Sequence, residues 1–235
     1  MSEALAGALK VDVLGIKVDD ITEAEAIDIV EKLLKTPGKH YIVTPNPEFI
    51  VAARGDNVFT KILNDADLSI PDGIGLKLTG RVKNRIAGID LMEAMISLAA
   101  QKGYSIGLLG SRGDTAQKTA EVLKLKYPNL KISLAENGGE AFTLTTLNIQ
   151  PTDMLFVAFG HGKQEKWIAD NLPQVPVKLA MGVGGAFDVI SGKVPRAPEW
   201  MRAIGLEWLF RLVIQPWRIK RQFALIKFLW FLALG

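Results

Sequence analysis

Two apolar runs in the second half of the chain each end in a glycine-rich polar loop that leads into a helix. The runs are Asp153–Phe159 and Val177–Met181. Continuous apolar runs of this length suit strands buried on both faces, as the strands of a parallel sheet are. The loops are Gly160-His161-Gly162 before Lys163–Trp167, and Gly182-Val183-Gly184-Gly185 before Ala186-Phe187-Asp188. Earlier, Tyr104–Leu109, the loop Gly110–Asp114, a helix to Tyr127 and Lys131–Ala135 read as one βαβ unit, right-handed by default. The pattern predicts an α/β chain, Rossmann-like, with a mostly parallel sheet and flanking helices. Its chemistry belongs at the ends of the strands.

One more strand end carries an acid. In Ser69-Ile70-Pro71-Asp72-Gly73-Ile74-Gly75 the proline fixes φ and the glycine releases it, so the chain turns with Asp72 at the mouth of a buried strand. Asp72 reads as a general base, or as a turn residue held by local hydrogen bonds. Thr44 and Asn46, after the strand His40–Val43, read as lining the same cleft. Asn46 is equally suited to cap a helix whose first residue is Pro47. Elsewhere the sequence predicts a hairpin over Val11–Val18 and helices ending near Arg54 and spanning Asn57–Ala66. Capping boxes at Thr22/Glu25 and Asp90/Glu93 precede the helices Glu23–Lys35 and Leu91–Lys102. Arg81–Arg85 reads as a loop or hairpin, and residues 144–149 as a weakly signalled helix.

Asp65-Ala66-Asp67 spells D-x-D, by which many sugar-nucleotide enzymes hold a metal. Here it falls on a helix end and a strand start, where the two carboxylates need not converge, and neither metal nor cofactor is expected. The loop Gly110–Gly113 with Glu136 ending the next strand supports an alternative, a dinucleotide-dependent oxidoreductase on the same core. Against it, the loop lacks the full G-x-G-x-x-G pattern.

The C-terminal end differs in composition. Residues 196–235 hold seven Lys and Arg against Glu199 and Glu207, while the chain as a whole carries only +3, so the preceding part is slightly acidic. Trp200, Trp208, Trp217 and Trp230 lie in the same stretch. We divide the chain into a catalytic domain, residues 1–190, and an amphipathic helical appendage, residues 191–235, beginning at the linker Ser191–Pro198. Two helices, Glu199–Val213 and Trp217–Leu234, are expected there, hinged at Pro216. The apolar run Phe223–Gly235 is short of the ~20 residues that span a bilayer. Basic residues mixed with Trp, Phe and Leu suit a helix lying in a membrane interface; a docked core helix or a contact in a homo-oligomer is the plainer reading. Nucleic acid is not expected, since it calls for a broad basic face. The absence of cysteine excludes disulfides, a thiolate nucleophile and Cys-ligated zinc. The start, Met1–Ala4, lacks the pattern of a signal peptide, so export by that route is not expected.

Six ordered motifs resemble the WecG/TagA/CpsF glycosyltransferases. They are Ile70–Gly73, Arg85–Gly88, Gly160 with Lys163–Trp167, Gly182–Asp188, Arg196–Pro198, and Leu206–Trp208 with Arg211. The resemblance implies inverting, metal-independent transfer of a sugar, such as N-acetylmannosamine, from a UDP-sugar to a polyprenyl-diphosphate-linked sugar. It implies a peripheral enzyme of cell-surface polysaccharide synthesis at the cytoplasmic membrane face. Asp72 matches the family's base, and Thr44, Asn46, Arg85 and Gln164 match residues lining its pocket. Gly184, Gly185 and Asp188 match the nucleotide end. Arg211, Arg218 and Arg221 match basic residues of an appendage that meets the membrane and completes the site. The chain departs from the family at His161-Gly162, where Ala-Pro is usual. That leaves a looser turn and a histidine that either meets the donor sugar or sits at the rim.

Overall fold

Six apolar segments pair side by side in parallel and form the frame of the protein. The computed structural model describes residues 10–138 and 149–234. The sheet strands are β3 (His40–Val43), β4 (Leu68–Ser69), β5 (Ser105–Gly110), β6 (Lys131–Glu136), β7 (Thr152–Ala158) and β8 (Val177–Gly182), in the order β4-β3-β8-β7-β5-β6. Every pairing in this sheet is parallel. The fold is therefore the Rossmann-like α/β arrangement expected. The helix expected over residues 144–149 lies outside the described residues except for Ile149.

The helices follow the apolar faces that the sheet must cover. They are α1 (Glu23–Lys35), α2 (Pro47–Ala53), α3 (Asn57–Asn64), α4 (Ile74–Lys77), α5 (Gly88–Lys102), α6 (Thr115–Lys126), α7 (Lys163–Asn171) and α8 (Ala186–Ile190). The Thr22/Glu25 capping box forms as expected. The Asp90/Glu93 box does not. The helix starts earlier, at Gly88, which places Asp90 inside the first turn. Its carboxylate instead pairs with Arg196 from beyond the linker. The D-x-D carboxylates go separate ways: Asp65 pairs with Lys61 at 2.6 Å, and Asp67 accepts from the Tyr41 N–H and meets His40 Nδ1 at 2.9 Å.

A hairpin, β1 (Lys10–Val13) with β2 (Ile16–Asp19), stands beside the sheet and pins two loops. Asp19 accepts from the Ser69 N–H at 2.8 Å, on the segment that leads to Asp72. Asp20 accepts from the backbone N–H of Lys83 and Asn84, just before Arg85. Burial raises the Asp19 pKa, and the Ser69 bond and Lys10 oppose the rise.

Beyond the linker the chain breaks more often than its hydropathy predicts. The helix expected over Glu199–Val213 is two pieces, α9 (Glu199–Ala203) and α10 (Glu207–Ile214). The break is at Gly205, whose φ is +78°; a Cβ there would lie 2.9 Å from the Ile74 side chain. A short 3-10 turn, Pro216–Arg218, leads to α11 (Ile219–Leu234). This last helix is docked: Phe228 is fully buried in a cluster with Val13, Ile16, Phe49 and Phe59. Arg54 stacks over the Phe231 ring at 4.3 Å. Phe223, Ile226, Trp230 and Leu234 on the same helix remain exposed. One side of α11 thus belongs to the core and another shows apolar surface to the outside.

Phe228 is the anchor of that docking. Replacing it with Ala should cost about 3 kcal/mol, the usual loss for a buried phenylalanine. Hydrogen exchange should then show faster exchange throughout α11 with the sheet still protected. Unchanged protection of α11 would contradict the docking.

Candidate active site

A cavity of about 320 Å³ opens where β3, β4, β7 and β8 end. Strand ends beside a crossover in the strand order are where open α/β sheets bind ligands. Each strand contributes its following loop. β3 delivers Thr44 and Asn46, β4 delivers Asp72, β7 delivers Gly160 and His161, and β8 delivers Gly182–Gly185. The tail closes the far side with Glu207, Arg211, Arg218 and Arg221.

Asp72 is held at this mouth by its backbone. Its N–H donates to the Pro45 carbonyl at 2.8 Å, and Ile86 N–H donates to the Pro71 carbonyl. Gly73 has φ +83° and lets the chain turn at once into α4. The carboxylate faces the cavity, and its pKa is raised to about 6. Burial is the chief cause. Arg211 and Arg85 and a bond from the Gly88 N–H pull it down, while Glu207 pushes it up.

The cations come from two directions. Arg85 follows the loop pinned by Asp20 and donates to the Arg202 carbonyl at 3.2 Å. Arg211 pairs with Glu207 at 2.9 Å and Arg221 with Glu48 at 3.7 Å. Among the described residues Arg218 has no ion-pair partner; its Nε donates to Gln215. Burial and the guanidiniums of Arg221 and Arg211 push the Arg218 pKa down to about 10. Glu48 and Asp188 oppose that fall, and an arginine stays charged at any working pH. The three tail arginines do not share one continuous helix. The turn at Pro216–Arg218 separates α10 from α11, and that bend carries all three to one cavity.

The other sequence-predicted residues fall into distinct places. Asn46 caps α2, its Oδ1 accepting from the N–H of Glu48 and Phe49, and it lines the cavity as well. Thr44 is buried, with Gly88 packed so close that a Cβ there would lie 3.3 Å from its Oγ1. Gly184 takes φ +52°, and a Cβ on Gly185 would approach Arg218 Nη2 at 3.7 Å. Asp188 stands outside the lining, beside Gly185, with Lys193 at 3.8 Å. Gln164 lines the cavity but its polar atoms are engaged by protein: Oε1 accepts from Gly160 and Gly184 N–H, and Nε2 donates to Glu165. His161 is edge-on to Phe49 and Phe59, with ring centroids 4.5 and 5.8 Å away. Burial lowers its pKa, with Arg221 adding to the fall and Glu48 opposing it.

Sequence reasoning missed Glu207, Glu48 and Glu165. Glu207 was visible as the acid four residues before Arg211, the spacing of a helical ion pair. The loop Gly110–Asp114 lies outside the cavity lining. Gly110 is required because a Cβ would meet the Ala158 backbone at 2.8 Å across the sheet. Strand packing therefore accounts for that glycine without a phosphate.

Residues 11–234 match the glycosyl transferase WecG/TagA/CpsF family. A Bacillus subtilis (strain 168) relative, an N-acetylglucosaminyldiphosphoundecaprenol N-acetyl-beta-D-mannosaminyltransferase, is 36% identical over 81% of this chain and 80% of its own length. A Staphylococcus aureus (strain MRSA252) protein with the same activity in its name is 30% identical over 93% of this chain and 90% of its own.

The raised Asp72 pKa has a consequence for stability. Its folded pKa lies above its unfolded value, so between about pH 4 and 6 the folded state binds more protons. Its ionised form therefore weighs against folding above about pH 6. Asp72→Asn should raise the melting temperature at neutral pH, and the gain should vanish below about pH 4. A loss of stability at pH 7 would contradict the burial of that charge.

Proposed function

This chain belongs to the WecG/TagA/CpsF glycosyltransferase family, and from that premise we propose how its cavity carries out sugar transfer. The relatives are named for moving N-acetylmannosamine onto an undecaprenyl-diphosphate-linked N-acetylglucosamine. The reading extends that chemistry to this chain: a UDP-sugar donor, a polyprenyl-diphosphate-linked sugar acceptor, and inversion without a metal. The oxidoreductase alternative gains nothing from the relatives.

One observation carries the reading: an acid of raised pKa and a cluster of guanidiniums line the same cavity, and among the described residues neither Arg85 nor Arg218 is in an ion pair. Asp72 takes the proton from the acceptor hydroxyl as its oxygen attacks C1 of the donor sugar. The bond from C1 to the diphosphate breaks, and its electron pair leaves with UDP. A pKa of about 6 leaves Asp72 ionised at neutral pH yet more basic than an ordinary carboxylate. Arg218, with Arg211 and Arg221, meets the charge that grows on the leaving diphosphate. Guanidinium forks suit this because they hold two phosphate oxygens at once. The diphosphate replaces part of what Glu207 and Glu48 supply in its absence. Thr44, Asn46 and Arg85 flank the acceptor side, and Gly184, Gly185 and Asp188 the nucleotide end.

The tail fits the location of such an acceptor. No helix among the described residues is long and apolar enough to cross a membrane. Trp200, Trp208, Trp217 and Trp230 are nevertheless all exposed, with Phe223 and Ile226 beside them. Aromatic and basic residues together suit the headgroup layer. Residues 191–235 therefore act as an appendage that rests on the cytoplasmic face of the membrane and completes the site over residues 1–190. The same surface would be covered in a homo-oligomer.

Asp72→Asn should lower kcat by about 10²- to 10⁴-fold, the range for a lost general base. Donor affinity should stay within about threefold, since an amide of the same shape remains. Mass spectrometry of a short-chain lipid-diphosphate acceptor reads the product. Turnover near the wild-type rate would remove Asp72 from the mechanism. In the wild type, kcat/KM should fall with a midpoint near pH 6 as Asp72 is protonated. Arg85→Ala should move that midpoint upward, because it removes a nearby positive charge. A midpoint indifferent to Arg85 would contradict the assignment.

A further inference from the structure

Glu165 is almost fully buried, at 1% exposure, and stands behind the cavity lining rather than in it. A buried carboxylate is costly unless its oxygens are satisfied. Both are. Oε2 accepts from the Gly162 N–H at 2.8 Å, and Oε1 accepts from Gln164 Nε2 at 2.7 Å. The second bond decides which way the Gln164 amide faces. With Nε2 turned to Glu165, Oε1 accepts from Gly160 N–H at 3.1 Å and from Gly184 N–H at 3.0 Å. One side chain thus ties the loop after β7 to the loop after β8, and both loops line the cavity.

The surrounding sequence makes room for this arrangement. A Cβ on Gly182 would lie 2.7 Å from both Gln164 Nε2 and Glu165 Oε1. Gly162 has φ +76°, which brings its N–H over the start of α7. The ionisation of Glu165 is governed by hydrogen bonds and burial alone. Burial raises its pKa to about 7; the Gln164 amide and the N–H groups of Glu165 and Gly162 oppose the rise. No charged side chain enters that balance.

We propose that Glu165 is a positioning residue for the transfer reaction: its carboxylate fixes the Gln164 amide so that the two glycine loops hold one shape around the donor. The claim rests on the glycosyl-transfer reading for its role and on the hydrogen-bond pattern for its geometry. It acts through Gln164 and touches no substrate. Protonation places a hydrogen on one of two oxygens that each already face a donor. The amide then loses its holder, or turns over and releases the two loop N–H groups. Glu165→Gln creates the same conflict permanently, because one end of the new amide is itself a donor.

The first test needs no turnover. The chain is labelled with ¹⁵N at glutamine, and the Gln164 amide signal is assigned by its loss in Gln164→Ala. In the wild type that signal should titrate with a midpoint near pH 7, and in Glu165→Gln it should be flat over the same range. A wild-type signal that stays flat overturns the proposal, whether or not the variant folds. The second test is a cycle of variants. Glu165→Gln and Gln164→Ala should each lower kcat/KM about 10-fold or more, with the double variant within about threefold of the worse single. Losses that multiply would mean that Glu165 serves the fold alone. If the wild type forms no glycosyl product, the functional reading fails, while the amide titration still decides whether the carboxylate holds Gln164.

Discussion

The Asp72 carboxylate stands among guanidiniums that the chain delivers from two places far apart along its length. Arg85 comes from the core, sixty and more residues after the hairpin whose Asp20 pins its loop. Arg211, Arg218 and Arg221 come from the tail, more than a hundred residues later. Neither set of charges would be tolerable alone. A carboxylate lining the cavity without cations nearby would have its pKa driven higher still, and a cluster of arginines without an anion repels itself. Burial is the chief cause of the lowered Arg218 pKa, and repulsion from Arg221 and Arg211 adds to it. The side of the cavity where the tail meets the core thus carries Arg211, Arg218 and Arg221 together, the place that the proposed function gives to a diphosphate.

That meeting depends on packing as much as on charge. Phe228 fills the cluster formed by the hairpin, α2 and α3, and fixes where α11 lies. Ile74 sits against Gly205 and sets where α10 begins. Arg196 and Arg202 reach back to Asp90 at the start of α5. The tail is therefore docked at several points along its length. It still leaves its tryptophans outside, so one segment serves both the cavity and an external apolar surface. Glu207 belongs to this logic: it pairs with Arg211 and, across the cavity, keeps Asp72 more basic.

Much of this was legible in the sequence because apolar runs, glycines and prolines act locally. The parallel strands, the turn at Pro71-Asp72-Gly73 and the cap at Asn46 each follow from a few adjacent residues. The errors arose where a distant partner decided. Asp90 has the spacing of a capping box, yet Arg196 from across the fold claims its carboxylate. The run Glu199–Val213 has helical hydropathy, yet the close approach of Ile74 requires a left-handed glycine at Gly205. Gln164 lines the cavity as expected, but that two loop N–H groups occupy its carbonyl could not be seen in the sequence. The sequence places the D-x-D pair on a helix end and a strand start, and the partners that hold each carboxylate, Lys61 and His40, come only with the fold. Convergence of three arginines across a bend is likewise invisible to helical spacing.

The central claim is that core acid and tail cations act on one bound donor. A crystal structure of the protein with UDP tests it most directly. The account predicts the diphosphate within hydrogen-bonding distance of Arg218 and of Arg211 or Arg221, with its open end directed toward Asp72. A nucleotide seated along Gly110–Gly113, or one whose phosphates leave all three guanidiniums untouched, would contradict it.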